Sequence, residues 1–503
     1  MKRALVSVSN KDGLLEFING LVKNNFEIIS TGGTKKYLEE NGIKVKNVEE
    51  VTDFPEILSG RVKTLHPKIH GGLLALRDDE KHKDEILKNK IKYIDMVVVN
   101  LYPFEETPSI ENIDIGGPSM LRSGAKNYKY VTTVIDPKDY KMVLEEIEKN
   151  GETTLNTREI LAGKVFLETA YYDSLIGNYF LNKNENIKSD KLTIGYRKVQ
   201  DLRYGENPHQ KGGFYKNSKC GYSMGNCEQL NGKELSYNNI QDGNVVLEIL
   251  KEFENSKKIA CVGVKHMNPC GVALGENSLD AWKKVYEGDS ISIFGGIVGT
   301  NGIVDGDLAR ELVKIFLEIV IGNDFTQEAL EILKTKKNLR VLKINMKNEV
   351  KNSIKVTSVL DGILTQELDM KNEDRNKYQI VTEKKLDTWD MEELEFVWKV
   401  VKHVKSNGIV ISKNFQTIGI GAGQMNRVGA MKLALEQGKD KCNGAYIGSD
   451  AFFPMGDSID MASQYEIRGI IQPGGSIKDQ ESIDICNEKS IPMVFTGIRH
   501  FKH

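Results

Sequence analysis

Short, nearly continuous apolar runs alternate with stretches of helical spacing along the first 150 residues. Residues 4–9, 26–30, 96–101 and 130–135 are mostly β-branched and aliphatic and read as buried strands. Residues 11–25 and 34–41 lie between them with helical apolar spacing, and residues 138–150 follow the last run in the same way. Strands apolar on both faces, with helices between them, predict a parallel sheet covered on both sides. Ligands bind such sheets beyond the carboxyl ends of the strands, so the loops after strands are where chemistry is sought.

Residues 182–190 are polar, lack periodicity and read as a linker. A second α/β part follows. Its apolar runs are 259–264, 291–298, 319–321, 408–412, 417–420, 445–449, 469–472 and 492–496, and helical spacing covers 239–253, 308–317, 390–405 and 425–436. Residues 336–357 are charged and fit neither period. The expected organisation is one domain over 1–190 and another over 191–503, the latter divided near 336–360. No short repeat is visible, which argues against a solenoid.

Composition narrows the class. The chain of 503 residues carries 69 Lys and Arg against 71 Asp and Glu, a net charge of −2. That balance disfavours a nucleic-acid coat protein or an acidic disordered tail. With 40% hydrophobic residues and 46 glycines, it is ordinary globular composition. No apolar run is long enough to span a membrane, and the apolar stretch after Met1-Lys2-Arg3 is too short for a signal-peptide core, so the cytoplasm is expected. Six scattered cysteines (Cys220, Cys227, Cys261, Cys270, Cys442 and Cys486) form no C-x-x-C pair and read as reduced thiols. Only 13 of the 69 cations are Arg, so an Arg beside Gly, Tyr or His draws more attention than a Lys.

Two strand-end loops of the first part suit an anion: Ser7-Val8-Ser9-Asn10-Lys11 and Ser30-Thr31-Gly32-Gly33-Thr34. Small residues let backbone N–H groups approach a phosphate, and the helix that follows favours its charge. Capping and a tight turn explain either loop alone; the pair favours an anion site. Neither is a Walker A loop, which disfavours an NTPase. The segment from Gly60 to Pro67 sets Arg61, Lys63, Thr64 and His66 within eight residues. It reads as a phosphate clamp or as a solvated basic loop, and Pro67 argues against a His66–His70 metal pair. Asn100 and Tyr102 end an apolar strand, while the segments of Asp114 and Lys126 read as lying near helix starts at the same sheet edge. Lys63, Tyr102, Asp114 and Lys126 together make a plausible acid–base set.

In the second part, residues 202–210 (Leu-Arg-Tyr-Gly-Glu-Asn-Pro-His-Gln) concentrate polar types around Arg203 and Tyr204. Lys265-His266 ends an apolar strand before Met267-Asn268-Pro269-Cys270-Gly271. Neighbouring strand side chains point apart, so both can face one ligand only at a bend, and Asn-Pro makes a bend credible. The competing reading is a structural histidine at a strand end. Cys270 supplies one cysteine of a zinc-deaminase P-C-x-x-C and the second is missing, which excludes a catalytic zinc of that kind. Ser406-Asn407 precedes another strand, and Gly419-Ile420-Gly421-Ala422-Gly423-Gln424 leads to Arg427 without full dinucleotide spacing. Phe452 and Phe453 suit stacking on a ring, though alone they read as core. For the last residues, Arg499 to His503, a frayed tail is the default.

The motifs S-x-S-x-K, T-G-G-T, R-V-K-T-L-H-P, N-L-Y-P-F and D-I-G-G-P stand in order in the first part. L-R-Y-G-E-N-P-H-Q, K-H-x-N-P-C-G, G-I-G-A-G-Q, S-D-A-F-F-P and R-H-F-x-H stand in order in the second. With these ten motifs the whole chain resembles the bifunctional AICAR formyltransferase/IMP cyclohydrolase family of purine biosynthesis.

The resemblance implies a methylglyoxal-synthase-like first domain that closes formyl-AICAR to IMP. It implies a second domain of two cytidine-deaminase-like subdomains without zinc, which moves formyl from 10-formyltetrahydrofolate to AICAR. It also implies a homodimer, no need for metal or ATP, and no nucleic-acid or membrane partner. By motif, Lys63, Tyr102, Asp114 and Lys126 would serve cyclisation, with Ser9, Lys11, Thr31, Gly33, Thr34, Arg61, Thr64 and Asn100 holding the nucleotide. Lys265, His266 and Asn407 would serve transfer, with Arg203, Tyr204, Gly295, Glu318, Arg427, Phe452 and Arg499 on AICAR. Two other classes compete: a phosphoelimination or effector-binding protein built on the first domain, and a base-modifying or RNA-binding protein. About 300 further residues with their own Lys-His pair argue against the first, and the net charge against the second.

Overall fold

The computed structural model describes residues 1–183, 189–217, 221–350, 354–370 and 374–503; most of the expected linker (184–188), Cys220 and residues 351–353 of the charged stretch lie outside them. The chain forms two compact units, Met1–Tyr196 and Arg197–His503. Among the described residues no helix is long and apolar enough to cross a membrane.

The first unit is built on strands β1 (Lys2–Val8), β2 (Phe26–Ser30), β3 (Lys46–Asn47), β4 (Met96–Asn100) and β5 (Thr132–Val134). They run parallel in the order β3-β2-β1-β4-β5. Leu5, Val97, Val98 and Val99 are buried, as expected for strands covered on both faces. Helix Leu14–Lys23 packs on helix Tyr140–Asn150, where Phe17 stacks on Tyr140 at 4.3 Å. Helix Leu155–Lys183, 29 residues long, lies against helix Gly116–Lys126. Strand order reverses between β1 and β4, where Val8 and Asn100 pair. This opens a crevice at their carboxyl ends.

The second unit begins with the hairpin β6 (Arg197–Leu202) and β7 (Gly212–Lys216). A six-stranded sheet follows: β8 (Glu228–Asn231), β9 (Ile259–Lys265), β10 (Asn268–Gly275), β11 (Ile297–Val304), β12 (Ile319–Phe325) and β13 (Arg340–Lys343), in the order β10-β9-β11-β12-β13-β8. The hairpin β14 (Ile354–Val359) and β15 (Gly362–Glu367) comes next, every residue of both strands exposed. The last sheet holds β16 (Gln379–Ile380), β17 (Ile409–Ser412), β18 (Thr417–Gly421), β19 (Tyr446–Ser449), β20 (Gly469–Gln472) and β21 (Met493–Phe495). Its order, β18-β17-β19-β20-β21-β16, repeats that of the first sheet, and so does its pattern of parallel and antiparallel neighbours.

The likeness extends to detail. Before β9, helix Tyr237–Glu252 starts at a capping box of Ser236 and Asn239; before β17, helix Thr388–Val401 starts at one of Asp387 and Asp390. The turn between β9 and β10 puts His266 and Met267 at φ 53° and 62°; that between β17 and β18 puts Asn414 and Phe415 at 54° and 56°. The edges β10 and β18 meet: Leu274 N–H donates to Phe415 O and Val272 N–H to Thr417 Oγ1, both at 2.9 Å. One apolar core, including Val262, Ile321, Val397 and Val410, is shared by the two halves.

Candidate active sites

In the first unit the loops after β1, β2 and β4 converge. Asn100 Oδ1 accepts the N–H groups of Ser9 (2.6 Å) and Asn10 (2.9 Å), and its Nδ2 donates to Asn10 O, so Asn100 shapes the β1 loop. The buried Thr34 hydroxyl bonds the Val8 backbone at 3.0 Å and fixes the same loop from the other side. Lys11 Nζ lies 3.2 Å from Ser9 O. Thr31 is buried at the N-cap of helix Gly32–Glu40, and Gly33 has open space around it. Gly32, at φ 55°, stands so close to Lys63 that a Cβ there would sit 3.5 Å from Nζ. A side chain would therefore fill the space in front of that ammonium.

Lys63 Nζ is 3.9 Å from Glu56 Oε2, and Arg61 pairs with Glu111. Thr64 is buried against Gly116, where a Cβ would sit 2.6 Å from its Oγ1. His66 caps helix Pro67–Leu74 by accepting Lys68 N–H, and His70 Nδ1 bonds Ser123 Oγ at 2.9 Å. Asp114 Oδ1 accepts Gly117 N–H at 2.8 Å, and any Cβ on Gly117 would collide with the carboxylate. Burial raises the Asp114 carboxyl pKa, opposed by the Gly117 N–H, the Lys63 charge and the Tyr102 backbone. Burial also raises the Tyr102 phenol, helped by the Asp114 and Glu56 charges. Lys63, Tyr102 and Asp114 thus share one electrostatic environment. A positive charge beside a buried carboxyl and a phenol can bind an anion and hold or move a proton.

Lys126 is not brought to them. It lies on the last turn of helix Gly116–Lys126, about 15 Å along the axis from the Asp114 end. There it is exposed and lines a groove with Arg122, Glu159 and Phe166. Tyr172, absent from the sequence reading, holds the Asp114 segment: its hydroxyl accepts Asp114 N–H and donates to Asn112 O, both at 2.8 Å. A tyrosine within a long helix gives no sequence signal of such a role.

In the second unit the bend expected at Asn268-Pro269 is instead a two-residue turn one step earlier, His266–Met267, closed by the Lys265–Asn268 pair. Positive φ at both central residues matches the twist of the flanking strands. Lys265 Nζ donates to Phe294 O at 2.7 Å. The next residue, Gly295 (φ 73°), donates to Phe316 O at 2.7 Å, and Glu318 N–H donates to Gly296 O at 3.0 Å. Lys265, Gly295 and Glu318 therefore occupy one corner. The Glu318 carboxylate pairs with Arg340 at 2.7 Å. Asn268 Oδ1 accepts the N–H of Lys405 at 3.0 Å, which brings the His266 turn to the segment carrying Asn407.

Asn407 is held by Arg427, whose Nη2 donates to its Oδ1 at 2.8 Å, while Asn407 Nδ2 donates to Gln424 O at 2.8 Å. Arg427 is buried, bonded also to Gly408 O and to the fully buried Asp450, which accepts Ser406 Oγ–H at 2.5 Å. Asp450 belongs to the S-D-A-F-F-P motif read above for its aromatics; its carboxylate organises the Asn407 loop. Phe453 is core and Phe452 half-buried. Exposed Arg203 lies over the Tyr204 ring at 5.6 Å.

The tail is not frayed. His500 is buried, its Nδ1 2.6 Å from Asp369 Oδ2 and its ring 5.0 Å from that of Trp398. Ser406 N–H donates to Lys502 O at 2.8 Å, and Lys502 Nζ to Glu248 at 2.8 Å. These bonds outweigh the fraying of a chain end, and they set exposed Arg499, 4.3 Å from the Phe501 ring, near the Asn407 loop.

Comparison with known proteins gives two family matches. Residues 13–119 match the MGS-like domain, and residues 124–437 match the AICARFT/IMPCHase bienzyme family. The chain is 53% identical over 512 aligned residues to the bifunctional purine biosynthesis protein PurH of Bacillus cereus (strain B4264), and 52% identical to that of Bacillus mycoides (strain KBAB4), with both chains fully covered in each comparison. A solved structure titled "Crystal structure of ForH" is 32% identical, covers 36% of this chain and 97% of its own, and gives a TM-score of 0.34. Matched by one family description over more than half its length and by full-length relatives at 52–53% identity, the chain belongs to the AICARFT/IMPCHase bienzyme family.

Proposed function

We propose that the two units divide the two reactions of a bifunctional enzyme. The protein carries out the last two steps of purine biosynthesis, formylation of AICAR and ring closure of the product to IMP. Transfer belongs to the second unit. AICAR's 5-amino group is a poor nucleophile because its lone pair delocalises into the imidazole, so attack on the formyl carbon of 10-formyltetrahydrofolate needs a base and a stabilised oxyanion. His266 takes the amine proton. Lys265 has three donors, one of them on Phe294 O, which leaves two for the oxyanion. The Asn407 amide adds another. Arg203, Tyr204, Gly295, Glu318, Phe452 and Arg499 surround AICAR, and Arg427 acts through Asn407.

Cyclisation belongs to the first unit. The carboxamide nitrogen attacks the formyl carbon of the same molecule and water leaves, so holding the reactive conformer contributes much of the rate. Asp114, with its raised pKa, orients or deprotonates the amide. Lys63 and Tyr102 assist hydroxyl departure. The loops carrying Ser9, Lys11, Thr31, Gly33, Thr34, Arg61, Thr64 and Asn100 take the ribose phosphate. Lys126, at the other end of its helix, stands outside this set.

The exposed β14–β15 hairpin supports a homodimer: two strands alone are marginal in water, and Leu360, Ile363 and Leu364 are uncovered. A second copy covers them, and the enzyme works in the cytoplasm on small molecules.

The observation that carries the reading is the Asn268–Lys405 bond, which joins the His266 turn to the Asn407 loop. The test supplies AICAR and 10-formyltetrahydrofolate and follows IMP. His266→Ala should lose transfer by about 10²–10⁴-fold yet still close supplied formyl-AICAR. Wild-type transfer by that variant would refute the assignment.

A further inference from the structure

Asp242 has no place in either set of groups above. It is the sixth residue of helix Tyr237–Glu252, half-buried, and its Oδ1 accepts Met267 N–H at 2.7 Å. The backbone N–H of His266 faces the same carboxylate. Two consecutive N–H groups of one turn thus converge on one anion, and a carboxylate, with its charge and two acceptor oxygens, holds them more strongly than a neutral carboxamide would. The turn needs such a hold. His266 and Met267 both have positive φ, a conformation that suits Asn-Gly and strains residues with longer side chains.

The other half of the unit repeats the device. Glu393, likewise the sixth residue of its helix, accepts Phe415 N–H at 2.6 Å in a turn of the same handedness. There the carboxylate is fully buried and the turn joins β17 to β18 at the seam between the sheets. The repetition makes the carboxylate-to-turn bond a fixed part of this architecture. The halves differ in what the turn carries: Asn414 and Phe415 in one, His266 beside Lys265 in the other.

We propose that Asp242 is a positioning residue for formyl transfer, its carboxylate holding the His266–Met267 turn in the left-handed conformation that keeps His266 in register with the Asn407 loop. This rests on the assignment of His266 to transfer.

The test uses the full-length enzyme. Asp242→Asn keeps the shape and removes one acceptor. It should lower kcat for transfer at least 10-fold, with KM for AICAR within 3-fold and closure of supplied formyl-AICAR unchanged in the same preparation. Met267→Gly, which accepts positive φ without strain, should restore at least 3-fold of the loss when added to Asp242→Asn. Met267→Val, β-branched and resistant to positive φ, should lower kcat several-fold with Asp242 intact, and it carries the test if Asp242→Asn does not accumulate as folded protein. Transfer within 2-fold of wild type in Asp242→Asn, no recovery on adding Met267→Gly, or full transfer in Met267→Val overturns the proposal. His266→Ala run alongside separates the two readings: if it retains transfer, the site assignment fails; if it loses transfer while Asp242→Asn does not, only the positioning role fails.

Discussion

Lys405 N–H donates to Asn268 Oδ1 at 3.0 Å, and through that bond a turn of one sheet is fastened to a loop of the other. The base His266 and the oxyanion donor Asn407 sit on different halves, so their spacing depends on this joint. Asn268→Ala should lower kcat for transfer by about 10-fold, since a misplacement of about 1 Å costs up to about 100-fold. Closure of supplied formyl-AICAR should not change. Steady-state kinetics on both reactions check it; equal losses in the two would mean general unfolding instead.

Lys63→Ala removes the ammonium facing Gly32 and Glu56. Cyclisation should fall by about 10²-fold or more, with transfer intact. Supplied with AICAR and 10-formyltetrahydrofolate, the variant should bring formyl-AICAR to a plateau set by the reversible transfer, with little IMP. Chromatographic product analysis beside the wild type decides; IMP at the wild-type rate would make Lys63 a solvated lysine.

Tyr172→Phe deletes the hydroxyl between Asp114 N–H and Asn112 O. Leaving such groups unpaired costs about 1–3 kcal/mol, paid in the loop that carries Asp114. Cyclisation should drop by about 10-fold while transfer stays level. Rate assays on each reaction, with a thermal midpoint, measure both effects.

The strands of the first unit are legible because each is a near-continuous apolar run; β3, two residues long, leaves no such trace. Strand β10 escapes a sequence reader because Pro269 and Gly271 look like a loop. Gly271 is needed there, since its Cβ would come within 3.0 Å of the Val285 carbonyl. The run expected over 291–298 becomes strand only from Ile297, because Gly295 takes a positive φ before it. Lys63, Tyr102 and Asp114 can be nominated from residue type. Tyr172, Asp242 and Asp450 cannot, because they act on backbone and side-chain partners far along the chain. The pair of like subdomains is expected only from the motif resemblance and not from the residue pattern, because the halves share geometry, down to where a carboxylate falls in a helix, without a repeat of sequence.

Glu252 predicts the response to acid. Burial alone would raise its carboxyl, but His403, by hydrogen bond and charge, and Lys402 more than reverse this and hold it at about 2. The carboxylate is ionised in the folded protein at pH values where the unfolded chain, near 4.5, takes up a proton. Its contribution is therefore complete above about 4.5 and lost as pH falls towards about 2. Glu252→Gln should lower stability near pH 7 by about 1–3 kcal/mol and flatten the decline between those limits. Denaturant titrations from neutral to acid pH test it; parallel curves for variant and wild type would refute it.

The repeated six-stranded plan of the second unit means that it holds two copies of one mechanical part, a helix carboxylate clamped on a left-handed turn. Redundancy of that kind loosens constraint. While the Glu393 copy is fully buried at the seam, the Asp242 copy is half-buried, and the residues its turn carries before Asn268 can change without touching the joint. An engineer who wanted a new acyl acceptor or a new base in this enzyme would rewrite residues 265–267, keep Asn268, and leave 413–416 alone.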